Sequence, residues 1–265
     1  MTWLHVERRD SPLILAFPHG GTDIPDALLG DFRSRWWAIR DADWHIRELY
    51  DGLADATLIW TDLSRSVIDC NRDPSGASLY PGQATTGLCP TETFDGEPLY
   101  RDGAAPDMAM RRDTWFTPYH AAIQAEIERL RTLHPRVVLY DCHSIRSRVP
   151  RLFEGELPEL NIGTDNGSTC DAALSDAAVA QCAGRSHVLN GRFRGGWTTR
   201  HYGQPGKGVH AIQMEIAMRA YLDEPAGEPD ENNWPPVYDL DFATPLRADL
   251  SRVLAAALSF AKDSA

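Results

Sequence analysis

The short apolar run at residues 137–140 most constrains the fold, because it ends abruptly in Asp141, Cys142, His143 and Ser144. It follows a segment at 115–133 whose apolar residues recur at helical spacing. A continuous β-branched run after a helix is typical of a parallel strand that is buried on both faces. Ligands collect beyond the carboxyl ends of such strands in open α/β sheets, so the pattern predicts that His143 lies in a functional site.

Further strands and helices are predicted by the same kinds of pattern. A second apolar run at 13–17 is followed by His19 and by Gly20 and Gly21, which allow the backbone to approach a ligand closely. Predicted strands cover 57–60, 66–68, 161–163, 187–190 and 209–216, and predicted helices cover 46–53, 171–182, 217–222 and 244–261. The alternation predicts an α/β fold, and the length favours a single domain over residues 1–265.

Two segments without helical or strand period are predicted to be irregular. Residues 75–106 are rich in Gly, Pro and Thr and read as one long ordered loop. Loops above about 15 residues are uncommon in a compact domain, so this one is either a lid or binding loop or a structural wrap over the core. Residues 224–239 are acidic and rich in proline, which predicts a surface linker.

Charge and composition restrict the class of partner. The formal net charge of −12 disfavours nucleic acid and anionic membranes, since both require a basic surface. No apolar run approaches the roughly 20 residues of a membrane span, and residues 1–10 lack the apolar core of a signal peptide. The five cysteines, without CxxC spacing, argue against disulfides and thiolate zinc clusters. A cytoplasmic protein with a small-molecule partner is expected, and its oligomeric state stays open.

Polar residues at several predicted strand ends could act together in metal-dependent hydrolysis. His19 and His143 are two imidazoles that, together with a carboxylate, can hold Zn²⁺ and leave one position for water. Glu215, an acid within an apolar strand, is the candidate for proton transfer from water to a leaving nitrogen. Asn71 and Arg72 would hold a substrate carboxylate, Arg72 through its bidentate fork. From these residues alone, a satisfied polar core and a binding protein remain alternatives to metal-dependent hydrolysis.

The chain resembles the N-formylglutamate deformylase family over nearly all of its length. The segments that carry the resemblance are 17–25, 41–45, 64–74, 80–83, 85–90, 94–100, 140–147 and 190–196. That family is in turn similar to the zinc carboxypeptidase and aspartoacylase group. The resemblance implies one domain with a mixed, mainly parallel central sheet flanked by helices, and one divalent metal ion, expected to be zinc, held by two histidines and an acid.

The resemblance also implies roles for individual residues. His19 and His143 correspond to the two imidazole ligands, and Glu215 corresponds to the catalytic glutamate. Asn71 and Arg72 match the element that binds the substrate carboxylate. Alternation along the strand places Asp141 on the face of His143 as its orienting partner, whereas Cys142 points the other way and packs.

The third metal ligand departs from the pattern of the related enzymes. Those relatives have a glutamate three residues after the first histidine, where this chain has Thr22. We therefore expect Asp43 to be the third ligand, with Asp23 as the alternative. From its local pattern alone, Asp43 is instead typical of a helix N-cap.

The substrate that the resemblance implies is N-formyl-L-glutamate, hydrolysed to formate and L-glutamate in histidine degradation. This substrate is a dicarboxylate and requires a second cation besides Arg72. Arg146 is the preferred candidate, followed by Arg194 and Arg200. Two alternatives stay open: an amidohydrolase acting on another N-acyl amino acid, and a noncatalytic binder of small acidic metabolites, for which Thr22 is the support.

Overall fold

Seven strands form one mixed sheet in the computed structural model, which describes residues 2–79 and 81–263. The strands are β1 (Leu4–Glu7), β2 (Leu13–Phe17), β3 (Thr57–Thr61), β4 (Val137–Ile145), β5 (Leu160–Gly163), β6 (His187–Leu189) and β7 (Val209–Ala217). Their order across the sheet is β1-β3-β2-β4-β7-β5-β6. Four neighbouring strands run parallel: β3, β2, β4 and β7. Strand β1 is antiparallel to β3, and β5 is antiparallel to β7. The predicted mixed, mainly parallel sheet is confirmed.

Helices cover both faces of this sheet. They are α1 (Asp26–Leu29), α2 (Arg35–Ile39), α3 (Ile46–Tyr50), α4 (Met108–Arg111), α5 (Thr117–Arg131), α6 (Ala172–Gln181), α7 (Trp197–Tyr202) and α8 (Leu240–Lys262). On one face Leu15, Tyr140 and Met214 pack in a core with residues of α3, α6 and α8. On the other face Ile14 and Leu139 pack with residues of α5. Every residue of β4 and β7 is buried, as strands covered on both faces require.

Most predicted elements are present at or near their expected positions. The bounds of β2 match the prediction, and β3, β5, β6, β7 and α6 differ from it by a residue at one or both ends. The helix predicted at 115–133 begins earlier, because α4 and a π-helical turn at Arg112–Phe116 lead directly into α5. Asp107 caps α4 by accepting a hydrogen bond from the Met110 backbone N–H at 2.9 Å. Asp239 caps α8 in the same way, so that helix also begins before the predicted residue 244.

The predicted strand at 66–68 is wrong, since the described structure has turns there. Ser64 accepts two local hydrogen bonds. Its hydroxyl accepts from the Ser66 N–H at 3.1 Å, and its carbonyl accepts from the Val67 N–H at 2.9 Å. Such local bonds compete with a strand ladder. The turn delivers the residues from Asp69 onward toward the sheet edge instead of continuing as a strand.

Two helix predictions also need correction. Residues 217–222 contain only a single 3₁₀ turn at Met218–Ala220, because β7 continues as far as Ala217. Helix α3 is shorter than the predicted 46–53, and Asp43 is not its N-cap. The residue before α3 is His45, in the left-handed region at φ 58° with no side-chain cap. The Asp43 carboxylate is therefore available for other partners.

Among the described residues, both predicted irregular segments lack regular structure, but the prediction of a surface linker at 224–239 needs correction, because Trp234 is buried in the core and donates to the Arg40 carbonyl at 3.0 Å. In its described part, the 75–106 loop contains no helix and no strand, and the same holds for residues 224–239. Met1, Tyr80, Ser264 and Ala265 lie outside the described residues, including the Tyr80 of one segment that carries the family resemblance. All five cysteines are buried free thiols. No helix in the described ranges is both long and apolar enough to cross a membrane.

The parallel strands place the predicted functional residues at one edge of the sheet. β2 leads to His19, β4 carries His143 near its end, and β7 carries Glu215 opposite His143 in the strand register. The turn after β3 brings Asp69 to the same edge, within 2.7 Å of His19. His143 and Leu139 lie on the same face of β4. Helix α5 covers this face at Leu139, whereas the site lies at the carboxyl end of the strand, at His143.

Candidate active site

Three buried side chains meet at this edge of the sheet: His19, Asp43 and His143. One ligand atom from each lies within 4.8 Å of the other two, which makes the group able to bind a metal ion. Asp43 Oδ2 is 3.2 Å from His143 Nδ1 and 3.8 Å from His19 Nδ1. Within the described part of the chain, no hydrogen-bond partner reaches His19 Nδ1, although this atom is buried. An orphaned buried nitrogen beside a carboxylate and a second imidazole fits a metal site, because the ion would satisfy it.

Each imidazole is held from behind by a carboxylate. His19 Nε2 donates to Asp69 Oδ1 at 2.7 Å, and His143 Nε2 lies 2.9 Å from Asp141 Oδ2. Such partners fix the ring orientation and leave the Nδ1 atom of each ring directed at the cluster. The position of Asp141 agrees with the strand alternation, and Cys142 packs in the core on the opposite face, as predicted.

Burial and neighbouring charges set the protonation of these groups in opposite directions. Burial lowers the pKa of His19 to about 4, so its imidazole is neutral at pH 7. Burial also lowers the pKa of His143, but Asp141 and Asp43 outweigh it and hold the pKa well above the ordinary value. Burial raises the pKa of Asp69, yet Arg72, His19 and Arg65 together bring it well below the ordinary value. Asp69 is therefore an ionised acceptor for the His19 ring.

Backbone contacts explain why Asp43, and not Asp23, reaches the cluster. The Asp43 N–H donates to the His19 carbonyl at 3.0 Å, so the two residues are tied together through the main chain. Its carboxylate accepts from the Ser144 N–H at 3.1 Å and from Arg65 Nη1 at 3.2 Å. Asp23 is exposed and lies outside the group that could bind a metal.

Glu215 lies beside the cluster and is buried. Burial raises its pKa to about 7, the range in which a carboxylate can both accept and return a proton near neutral pH. Its Oε2 accepts a hydrogen bond from Gln213 Nε2 at 3.1 Å. Glu215 lines the same cavity as His19 and His143, as the sequence predicts for a residue that acts on a shared substrate.

Asn71 and Arg72 also line this cavity, but the protein already uses their polar groups. Asn71 Nδ2 donates to Asp141 Oδ2 at 3.0 Å and lies 2.9 Å from His143 Nε2, so its amide supports the second imidazole through Asp141. Arg72 Nε donates to the Thr86 carbonyl at 2.9 Å, and Nη2 donates to the Thr86 hydroxyl at 3.0 Å. The guanidinium is thus directed at the cavity wall formed by the 75–106 loop.

The three other predicted substrate arginines, Arg146, Arg194 and Arg200, do not line the cavity. Arg146 is buried, and its Nη2 donates to Asp95 at 2.7 Å and lies 3.6 Å from Asp41, so acids on neighbouring loops hold its charge away from the site. Arg194 is exposed, and its Nε donates to the Gly191 carbonyl at 3.4 Å. The assignment of Arg146 and Arg194 to the substrate stays a prediction that the cavity lining does not support, because sequence distance from His143 or from the paired glycines does not encode where their side chains point.

Two arginines that were not singled out do line the cavity. Arg65 is buried between Asp43 and Asp69, with its Nη2 2.7 Å from Asp69 Oδ2. Arg192 donates from Nε to the Leu152 carbonyl at 2.8 Å and from Nη2 to the Ala84 carbonyl at 2.7 Å. Both belong to segments that carry the family resemblance, which is the signal by which they could have been found.

The cavity itself is small, with a volume of about 40 Å³. It is lined by His19, Arg65, Asn71, Arg72, Thr85, Thr86, Phe94, His143, Ile145, Leu152, Arg192, Phe193, Gly196, Gln213 and Glu215. This space holds a few water molecules, whereas ligand pockets of roughly 300 Å³ or more are usual. Thr85, Thr86 and Phe94 come from the 75–106 loop, which therefore contributes directly to the site.

Sequence similarity over most of the chain identifies its family. The sequence model of the N-formylglutamate amidohydrolase family matches residues 11–222. An N-formylglutamate deformylase of Pseudomonas putida is 41% identical, over 94% of this chain and 93% of that protein. An N-formylglutamate deformylase of Pseudomonas aeruginosa is 42% identical, over 98% of this chain and 97% of that protein.

Solved structures share the fold at lower sequence identity. An N-formylglutamate amidohydrolase from Ralstonia eutropha JMP134 superposes with a TM-score of 0.76 at 22% identity, covering 98% of this chain and 99% of that one. A gene product of Agrobacterium tumefaciens superposes with a TM-score of 0.70 at 20% identity, covering 98% and 96%. At these identities the likeness establishes the arrangement of strands and helices alone.

Proposed function

Because the chain belongs to the N-formylglutamate amidohydrolase family, we propose that it hydrolyses N-formyl-L-glutamate to formate and L-glutamate. The observation that carries this proposal is the meeting of His19, Asp43 and His143 beside the buried acid Glu215 in one cavity. Two imidazoles and a carboxylate form a metal-binding set, and a nearby carboxyl with a pKa of about 7 can transfer a proton. In this proposal residues 1–265 act as one domain, and its cytoplasmic location stays a prediction.

His19, Asp43 and His143 are the residues that would hold one divalent metal. Zn²⁺ is the proposed ion, because two imidazole nitrogens and one carboxylate are a usual donor set for catalytic zinc. When bound, such an ion polarises an amide carbonyl and lowers the pKa of a water molecule. The neutral His19 ring and the carboxylates behind both imidazoles are what this chain contributes to binding it.

Glu215 is the proposed proton carrier of the reaction. It removes a proton from water as the water oxygen bonds to the formyl carbon. It then delivers that proton to the substrate nitrogen as the C–N bond breaks, so that formate and the free amine leave. Burial supports both halves of this role, since a carboxyl with a pKa of about 7 changes protonation readily near neutral pH.

Arg72 and Arg192 are the proposed partners of the two substrate carboxylates. Arg65 also lines the cavity, but its guanidinium already bridges Asp43 and Asp69. Arg72 and Arg192 bind oxygens of Thr86 and Ala84 in the 75–106 loop. Carboxylates are stronger acceptors than backbone carbonyls, so substrate binding would exchange these contacts and enlarge the small cavity.

Formate release tests the proposed substrate directly. We expect release from N-formyl-L-glutamate and much slower acid release from N-acetyl-L-glutamate, whose extra methyl group the small cavity disfavours. Faster turnover of the acetyl compound would favour the alternative of an amidohydrolase for another N-acyl amino acid. The alternative of a noncatalytic binder was supported by the absence of an acid at position 22, which is Thr22. Asp43 provides a carboxylate beside both imidazoles, which supports hydrolysis instead.

Substitution of Arg192 is expected to change substrate preference. We assign the side-chain carboxylate of the substrate to Arg192. Arg192→Met should then lower kcat/KM for N-formyl-L-glutamate about 100-fold, because that carboxylate would be desolvated without its partner. For N-formyl-L-glutamine, which is neutral at that position, the change should stay within about threefold. Steady-state kinetics with both substrates measure the difference.

Arg194→Met is the matched control for this substitution, since Arg194 lies two residues away, is exposed and does not line the cavity. Its kinetics should equal those of the wild type with both substrates. Equal losses with both substrates in Arg192→Met would remove Arg192 from carboxylate recognition. A selective loss in Arg194→Met would restore the original assignment of that residue.

A further inference from the structure

The two central strands of the site carry matching pairs of polar residues. On β4, Asp141 lies two residues before His143, and on β7, Gln213 lies two residues before Glu215. In the strand register Asp141 is opposite Gln213, and His143 is opposite Glu215. Residues two apart on a strand share a face, so all four side chains face the same side of the sheet. Asp141 supports the ring of His143, which raises the question of what Gln213 does for Glu215.

Gln213 is buried and makes two hydrogen bonds in defined directions. The Gly196 N–H donates to Gln213 Oε1 at 2.8 Å, and Gln213 Nε2 donates to Glu215 Oε2 at 3.1 Å. The backbone donor determines the orientation of the amide, because only the carbonyl oxygen can accept from Gly196. The amino group must then face Glu215.

The loop that carries Gly196 packs closely against Asn71. A Cβ on Gly196 would lie 2.4 Å from the Asn71 amide nitrogen, so the loop packs directly against the Asn71 side chain here. The Thr198 N–H donates to Asn71 Oδ1 at 2.8 Å, which ties the same loop to the residue that contacts His143. Gln213 is thus anchored to a fixed part of the site.

We propose that Gln213 is the positioning residue for Glu215, holding one carboxylate oxygen so that the other faces the water. The role rests on the proposed function, in which Glu215 transfers the proton. Among the described residues, Gln213 is the one side chain that donates a hydrogen bond to this carboxylate. Without that bond the Glu215 side chain can rotate away from its reactive position, and a small misplacement of a catalytic group is costly in rate.

The test is a double-mutant cycle on kcat with N-formyl-L-glutamate. Gln213→Met keeps the length of the side chain and removes its hydrogen bonds. It is expected to lower kcat about 10- to 100-fold, with KM within about threefold and metal content unchanged. In the Glu215→Gln background, the same substitution should produce no further loss, because Gln213 acts through Glu215.

Gln213→Glu is the second variant, since it keeps an acceptor for the Gly196 N–H but replaces the amide donor toward Glu215 with a second acid. It should show the same dependence on Glu215 in kcat, and Gln124→Met, at an exposed glutamine of α5, should be unaffected. Wild-type kcat in both Gln213 variants would overturn the role. Equal losses with and without Glu215, or a loss confined to KM, would overturn it as well. An inactive wild-type protein would overturn the proposed function and this role together, whereas the other outcomes contradict the role alone.

Discussion

Glu215→Gln is expected to lower kcat about 1,000-fold while the metal content of the protein stays at the wild-type level. The amide has nearly the shape of the carboxylate but cannot take a proton from water near neutral pH. Glu215 lies outside the group that could bind the metal, so its substitution leaves His19, Asp43 and His143 in place. Rapid formate detection at high enzyme concentration measures the residual rate, and elemental analysis measures the metal.

Glu128→Gln is the matched control, because Glu128 is exposed on α5 and the only described hydrogen bond of its side chain is with Gln124. It should retain wild-type kcat and KM. If Glu215→Gln also turned over at a near-normal rate, the proton carrier would have to be another group. If its metal content fell in parallel with its activity, Glu215 would instead belong to the metal site.

Asp43→Asn is expected to weaken metal binding by at least about 100-fold and to abolish most of the formate release. Removal of groups that merely orient a metal ligand costs about 10- to 100-fold in affinity, so a direct ligand should cost at least as much. Asparagine keeps an oxygen that can accept from the Ser144 N–H, which limits disruption of the fold. Competition with a chromogenic chelator gives the affinity.

Asp23→Asn is the matched control for this second substitution, and it decides between the two acids that the sequence left open. Asp23 is exposed, so its substitution should change neither metal affinity nor kcat. The opposite result, with metal lost from Asp23→Asn and kept by Asp43→Asn, would contradict the geometry of the cluster. Thermal melts of both variants separate loss of metal from loss of fold.

The strands that carry the site could be predicted from sequence because their signal is local. β4 and β7 are apolar at nearly every position, and a buried acid or imidazole within such a run is conspicuous. His143 and Glu215 are therefore visible without a structure. Their mutual register, which places them opposite each other, is a product of strand pairing and is not visible in either segment alone.

Loops are where the sequence reading lost accuracy. From its local pattern Asp43 has the appearance of a helix cap; the family resemblance predicts it as a ligand, and its contacts with His19, Ser144 and Arg65 place it at the cluster. Arg146 and Arg192 are both arginines near glycine- or proline-containing turns, yet one faces Asp95 and the other faces the cavity. The direction of a long side chain depends on tertiary partners that periodicity does not encode.

The relation to zinc carboxypeptidases stays a prediction. In the group that could bind a metal, the carboxylate comes from Asp43, which lies 24 positions after His19. In the related enzymes it comes from the third position after the first histidine, which is Thr22 in this chain. A buried carboxylate delivered by a distant loop can complete the same donor set, because a metal ion responds to geometry and not to sequence spacing.

Metal removal followed by reconstitution tests the central claim most directly. Formate release from N-formyl-L-glutamate would be measured for protein stripped with a chelator and then titrated with Zn²⁺ or another divalent ion. The proposal predicts that activity is lost on stripping and returns in full at about one ion per chain, with no recovery in Asp43→Asn. Full activity of the stripped, metal-free wild-type protein would contradict it.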